Sequence, residues 1–228
     1  MRNAYKRVEA EFLKMARQND DSAIKQLSYG GSGRTPGGWI DGTTACVAVL
    51  AGRDLVIGNV GDSRAVLGRE KDCIRLSTDH KPELPKERKM IEEAGGKLVF
   101  SGCWRVDHPS LACRLACSRS IGDRKFKEVG VISAEPDVRT FKLTPDDRFI
   151  LIASDGVWDV LSDRQATEIV RERLRPISNS NHRSIPGFDV LKRRSTLAAA
   201  EVVKRALAAG TTDNVTAVVC SFVWLRDS

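Results

Sequence analysis

The sequence predicts an α+β domain in which antiparallel strands are layered against helices. Three observations carry this. First, β-rich apolar runs at 43–51 and 55–60 are separated by Gly52-Arg53-Asp54, a hairpin signature. Second, helical patterns are grouped rather than strictly alternating with strands, which disfavours a parallel doubly wound sheet. Third, 228 residues at 41% hydrophobic supply one good-sized core, with no internal repeat and no clear linker. That length is compatible with one domain or two small ones, and with no clear linker a single domain over residues 1–228 is expected.

The elements follow in order. Tyr5, Val8, Phe12 and Met15 recur at helical spacing and predict an amphipathic helix over 4–18. A Gly/Ser/Pro-rich loop at 28–38 precedes the hairpin, and 63–68 reads as a third strand. A helix over 83–94 is stopped by Gly95-Gly96. Residues 97–100 and 111–118 read as extended, and 124–140, with Pro136 inside it, as loop. Phe149-Ile150-Leu151-Ile152-Ala153 is a continuous apolar run, as in a buried strand. Ser162-Asp163-Arg164-Gln165 is a capping box that opens a helix to about 174. The polar stretch 176–194 reads as an exposed insertion. Ser195 is then expected to cap a helix over 196–209 closed by Gly210, before a last strand at 215–224. Lys192-Arg193-Arg194 before Ser195 also has the form of a basophilic kinase site, with a phosphate there falling at a helix N-terminus.

Several function classes are disfavoured. The net charge of +7 comes from 37 basic and 30 acidic residues that are intermixed, as in Lys86-Glu87-Arg88-Lys89. That is the pattern of solvated helix faces. No Arg and aromatic interleaving suggests base stacking, so no nucleic-acid partner is expected. No apolar stretch approaches a membrane span, and MRNAYKRVEAEF is too charged for a signal peptide. The six cysteines lack the paired spacing of a secreted scaffold. A reducing compartment, cytoplasm or nucleus, is expected. Cys103, His108, Cys113 and Cys117 are zinc-ligand types, but without a C-x-x-C knuckle. Cys113 and Cys117 sit in LACRLACS, which alternates like a strand, so small buried thiols are expected there.

The recurring chemical theme is Asp at a strand end, usually beside Gly. In FILIASDGVWDVLS, Asp155-Gly156 breaks the apolar run and Asp159 follows four residues later. Gly61-Asp62 follows the run at 54–60, Gly122-Asp123 follows 115–121, and Asp213-Asn214 precedes 215–223. Such turns leave a carboxylate exposed and let backbone approach a ligand closely. Converging carboxylates suit hard cations such as Mg²⁺ or Mn²⁺. If a helical turn opens at Gly156, Asp155 and Asp159 fall on one side of it. Each Asp alone is also an ordinary turn residue, so the reading rests on their joint occurrence.

These residues carry a resemblance. DGTTACVAVL, GNVGDSRAVL, LSTDHKPELPKERKMIEEAGG, LACSRSIGD, ISAEPDV, FILIASDGVWDVLS and TTDNVTAVV occur in the order of the corresponding segments of the protein phosphatase 2C family of metal-dependent serine/threonine phosphatases. The resemblance implies an αββα four-layer sandwich of two antiparallel sheets flanked by helices. It implies hydrolysis of phosphoserine and phosphothreonine in proteins by a water that two Mn²⁺ or Mg²⁺ ions activate, with no phosphoenzyme. By motif match, Asp155 and Asp213 resemble ligands of the core metal centre. Asp62 and Asp159 resemble ligands of a third, weaker site that shares Asp155. Asp123 matches a position by the flap bordering the cleft, where a turn-capping role stands equally open. A phosphoprotein substrate and a monomeric state are the implied partner picture.

The match breaks at the elements that come first in the family. The family's Asp-Gly-His-Gly-Gly element is absent, as are an upstream phosphate-gripping Arg and a Glu-Asp pair. His80, His108 and His182 sit in other contexts, so none inherits the general-acid role. Asp41, in GGWIDG, has no His beside it and is not promoted to a bridging ligand. The connection at 107–114 is longer than the family's. The expectation is thus a phosphatase domain incomplete at its N-terminus, or alternatively a non-catalytic phosphatase-like binding module.

Overall fold

The computed structural model describes residues 1–28, 41–175 and 187–224. Helix α1 (Arg2–Ser28) opens the chain. Strands β1 (Gly42–Thr43), β2 (Ala45–Ala51), β3 (Asp54–Val60), β4 (Arg64–Arg69) and β5 (Cys73–Arg75) follow. Helix α2 (Pro85–Glu93) leads to β6 (Lys97–Ser101), β7 (Cys103–Asp107), β8 (Ile121–Gly122), α3 (Arg124–Glu128) and β9 (Asp137–Lys142). Then come β10 (Asp147–Ala153), the single turn α4 (Asp155–Trp158), α5 (Asp163–Leu174), α6 (Phe188–Ala208) and β11 (Ala217–Ser221). Among the described residues the strands form sheets ordered β11-β10-β4-β5 and β2-β3-β9, and the pairs β1-β8 and β6-β7. β10 is antiparallel to both β11 and β4, as are β4 to β5, β6 to β7 and β1 to β8. The expected α+β class with antiparallel sheets and helices is what the chain adopts. Its contacts divide it into two compact units. The first comprises Met1–Val47, Gly58–Asp62 and Asp79–Val138, the second Ala48–Ile57, Ser63–Thr78 and Arg139–Ser228.

The second unit is built around β10. Paired on both edges and covered on both faces, it needs apolar side chains at consecutive positions, and Phe149, Ile150 and Leu151 are all buried. Phe149 lies over Gly68 of β4, where an added Cβ would stand 2.1 Å from its ring. Ala166 and Val170 of α5 share this core with Ala198, Val202 and Ala206 of α6. The capping box forms: the Ser162 hydroxyl accepts from the Gln165 amide at 3.3 Å, and the Ser162 amide donates to Gln165 Oε1 at 2.9 Å. Burial alone would raise the Asp163 carboxyl, but hydrogen bonds from Arg75 and Arg64 hold it below the usual range. The Arg64 guanidinium also stands 4.9 Å over the Trp158 ring.

In the first unit α1 docks through Tyr5, Phe12, Ala16 and Glu9. The Tyr5 hydroxyl donates to the Gly58 carbonyl at 2.8 Å, and burial pushes its phenol up to about 12. Glu9 accepts from the Gly122 amide and from Lys127. A second apolar cluster gathers Ile91, Val106, Phe126, Val131 and Ile132. Beside it runs a buried polar network. Arg119 forks onto both oxygens of Glu87, Ser118 also donates to Glu87, and Arg119 and His80 both approach Asp137. His80 is 1% exposed. Burial first, and then Arg119, hold its imidazole below the ordinary value, against the opposing pull of Glu87 and Asp137.

Some expected elements are displaced. The helix expected at 4–18 runs from Arg2 to Ser28, and the face it buries carries Glu9 and Ala16, while Val8 and Met15 stand half exposed. Residues 29–38 of the expected loop lie outside the described residues. The first strand breaks at Thr44, freeing β1 to pair with β8. Residues 111–118 make an isolated bridge at Leu115 rather than a strand, and Cys113 there is exposed, not buried. The 124–140 loop contains α3 and β9. Of the expected insertion, 176–186 lie outside the described residues, while 188–194 are already helix. Ser195 therefore sits inside α6, buried, with its hydroxyl 3.0 Å from that of Ser221, and Gly187 holds the N-cap position. A phosphate on Ser195 would fall mid-helix against β11, not at a helix N-terminus.

Two predictions follow from the packing. Gly68→Ala forces its new Cβ against Phe149 and should lower stability by about 1–3 kcal/mol. Adding Phe149→Leu should cost less than the sum of the single effects, because the smaller side chain relieves the clash. Strict additivity in denaturant titrations of the three variants would show that the two positions do not oppose each other. For His80, a folded-state value below 6.5 means the unfolded chain binds more protons below that pH. Its contribution is full above pH 6.5 and is lost as the pH falls below it, ahead of the depressed carboxylates. His80→Asn should flatten the decline in unfolding free energy between about pH 7 and pH 5. An unchanged slope would place the titrating group elsewhere.

Candidate active site

The register of β10 and β11 positions the first acid pair. Ala153 faces Ala217, the last pair of the ladder. Beyond it the Ser154 amide donates to the Thr216 carbonyl at 3.0 Å, and the Thr216 amide donates back to the Ser154 hydroxyl at 3.1 Å. That hydroxyl donates to the Asn214 carbonyl at 3.3 Å. Gly156 approaches Asn214 so closely that a Cβ would lie 2.4 Å from the same carbonyl oxygen. The loop bearing Asp155 and the loop bearing Asp213 are thus pressed together, although 58 positions separate the two acids in sequence. Asp155 begins α4, and the Asp159 amide donates to its carbonyl at 2.8 Å, so both side chains lie on one side of a single turn. The Trp158 indole donates to the Ala153 carbonyl at 2.9 Å, tying α4 back to the end of β10. Asp213 is exposed, and one of its oxygens accepts from the Asn214 amide at 2.6 Å.

Asp62 and Asp123 belong to the first unit. The turn before Asp62 requires glycine: Gly61 has φ +98°, and a Cβ there would meet Thr44 at 2.3 Å. His80 clamps this turn, its amide donating to the Gly61 carbonyl and its Nδ1 accepting from the Gly61 amide, both at 3.0 Å. Asp62 itself is 5% exposed and accepts from Lys81 Nζ at 2.8 Å. Asp123 has a left-handed backbone, φ 48°, and its carboxylate fills the space where a side chain at Gly42 would be. Burial raises its carboxyl, with Glu9 and Asp41 adding to the effect. Its amide donates to the Asp41 carbonyl and its carbonyl accepts from Phe126, so it serves as the hinge of a tight turn into α3.

Carboxylates at Asp155 and Asp213 are the right donor chemistry for Mg²⁺ or Mn²⁺. Among the described residues no three His, Cys, Asp or Glu side chains gather so as to hold a metal ion. Sequence reasoning passed over Lys81, the cation on Asp62. It also passed over Ser154 and Asn214, whose hydroxyl and carbonyl do the joining. Lys81 lies in Asp79-His80-Lys81-Pro82, where nothing in its spacing marks it as the partner of Asp62.

Comparison with known proteins gives a consistent answer. Residues 3–215 match the family model for protein phosphatase 2C. Protein phosphatase 1L of Bos taurus is 45% identical over 58% of this chain and 36% of its own length. Probable protein phosphatase 2C 7 of Oryza sativa subsp. japonica is 38% identical over 80% of this chain and 42% of its own length. The chain thus spans less than half the length of either relative. The crystal structure of serine-threonine phosphatase 2C from Toxoplasma gondii, 26% identical, superposes with a TM-score of 0.71 over 97% of this chain and 66% of that one. With a family match over nearly its whole length and the fold to go with it, the chain belongs to the protein phosphatase 2C family.

Proposed function

We propose that this chain carries the Asp155 and Asp213 part of an enzyme that hydrolyses phosphoserine and phosphothreonine in proteins with the help of Mn²⁺ or Mg²⁺. The observation that supports this most is the docking of the Asp155 loop onto the Asp213 loop through Ser154, Gly156 and Asn214. A bound divalent cation supplies an acidified water and offsets charge on the transferring phosphoryl group. The chain's own part is to hold that cation between Asp155 and Asp213, with Asp159 on the same side of α4. Asp62 and Asp159 each match a family position for an acid of a weaker third site. The substrate partner is a phosphoprotein, bound by a monomer.

A second reading is a non-catalytic phosphatase-like module that binds partners. It is favoured by the lack of an Asp-Gly-His-Gly-Gly element among these 228 residues. The readings differ in an assay of phosphate release from a phosphothreonine peptide across a range of Mn²⁺. The enzyme reading predicts Mn²⁺-dependent release that Asp155→Asn abolishes. The rate should be at least about 10²-fold below that of a family member with the complete set, since a single missing electrostatic contact is worth that much. Peptide binding without release, unaffected by Asp155→Asn, would establish the module instead. Turnover equal to the complete enzyme would show that the absent groups are dispensable.

A further inference from the structure

The geometry points to Lys81 as a built-in counter-cation that occupies the Asp62 carboxylate, so that Asp62 is closed to a divalent ion until the lysine is removed. The inference rests on the reading of Asp62 as an acid of the phosphatase site, and goes beyond it by assigning Lys81 the role of keeping that acid from metal. Lys81 Nζ donates to Asp62 Oδ2 at 2.8 Å, a charge-assisted contact. The acid side chain is 7% exposed and the lysine 23%, so water competes little for either partner. The pair is also aimed by the backbone. His80, the residue before Lys81, exchanges two hydrogen bonds with Gly61, the residue before Asp62, and the Asn59 side chain donates to the same Gly61 carbonyl at 3.0 Å. Two stretches 19 positions apart are thereby locked side by side, with an ammonium and a carboxylate as adjacent neighbours. A dication and an ammonium on one shielded carboxylate repel strongly, so one must leave before the other enters.

The test counts Mn²⁺ ions bound from MnCl₂ alone, by the loss of the free-ion electron paramagnetic resonance signal, with no substrate present. Lys81→Met keeps the stem and removes the charge, and it should gain one Mn²⁺ equivalent over the native chain. Lys81→Arg should gain none. Asp62→Asn added to Lys81→Met should abolish the gain, whereas Asp62→Asn in the native chain should change nothing. A folded Lys81→Met variant that binds no more Mn²⁺ than the native chain would overturn the proposal. If Lys81→Met does not fold, the native and Asp62→Asn chains decide alone: equal stoichiometry supports Lys81 as the occupant, and loss of an equivalent in Asp62→Asn overturns it. Failure of the phosphatase reading would show separately, as absence of Asp155-dependent phosphate release, and would leave the Mn²⁺ count unaltered.

Discussion

Pairing of Ala153 with Ala217 places Ser154 opposite Thr216, and the geometry of the candidate site descends from that register. A slip of one residue would turn every side chain of β11 to the other face of its sheet. It would also separate the Ser154 hydroxyl from the Asn214 carbonyl and carry Asp213 away from Asp155. The register is held from both sides. β10 is paired with β4 as well as β11, and Phe149 is seated in the gap over Gly68. Gly156 then lets the two loops touch, because its missing side chain leaves room for the Asn214 carbonyl.

Electrostatics reinforce this frame without any added ion. Asp163, at the start of α5, is gripped by Arg64 and Arg75, and Arg64 also covers Trp158 of α4. Glu87 and Arg119 neutralise each other inside the first unit, and Lys81 meets Asp62. Removing one member of such a buried pair leaves the other charge unpaired, which is where large losses arise. Asp213 differs: it is exposed, its amide donates to the Thr211 hydroxyl and its carboxylate accepts from the Asn214 amide. Its position is set by the backbone of its own loop. An exposed carboxylate held this way is open to a ligand that arrives from solution.

Much of this frame was readable from residue order. The continuous apolar run at Phe149, the capping box at Ser162 and Gln165, and the closing Gly210 are local signals with local causes, and the strand, the cap and that helix end formed where expected. The pairing of Asp155 with Asp213 rests on motif resemblance; what the β10–β11 register adds is the contact of Ser154 and Gly156 with Asn214 and Thr216. What was misread shares one cause: tertiary contact overrode local pattern. Val8 and Met15 fit a helical stripe, yet the face that docks includes Glu9, because the Gly122 amide and Lys127 supply its partners. Ser195 fits a cap, yet the helix begins upstream and buries it against Ser221. LACRLACS alternates like a strand, yet it pairs only piecemeal, through a bridge at Leu115 and backbone hydrogen bonds of Ser118 to His80 and Ser133. Lys81 carried no pattern that pointed to Asp62, since their pairing depends on a backbone clamp between distant segments.

The account depends on Asp155 and Asp213 acting on one shared ion. That is measured most directly by a double-mutant cycle on Mn²⁺ affinity, with Asp155→Asn, Asp213→Asn and the combined variant titrated calorimetrically alongside the native chain. Two ligands of one ion are strongly coupled, so each single change should weaken binding and the second should add little to the first. Independent, additive losses, or a single variant with native affinity, would mean that the two loops meet without sharing a cation.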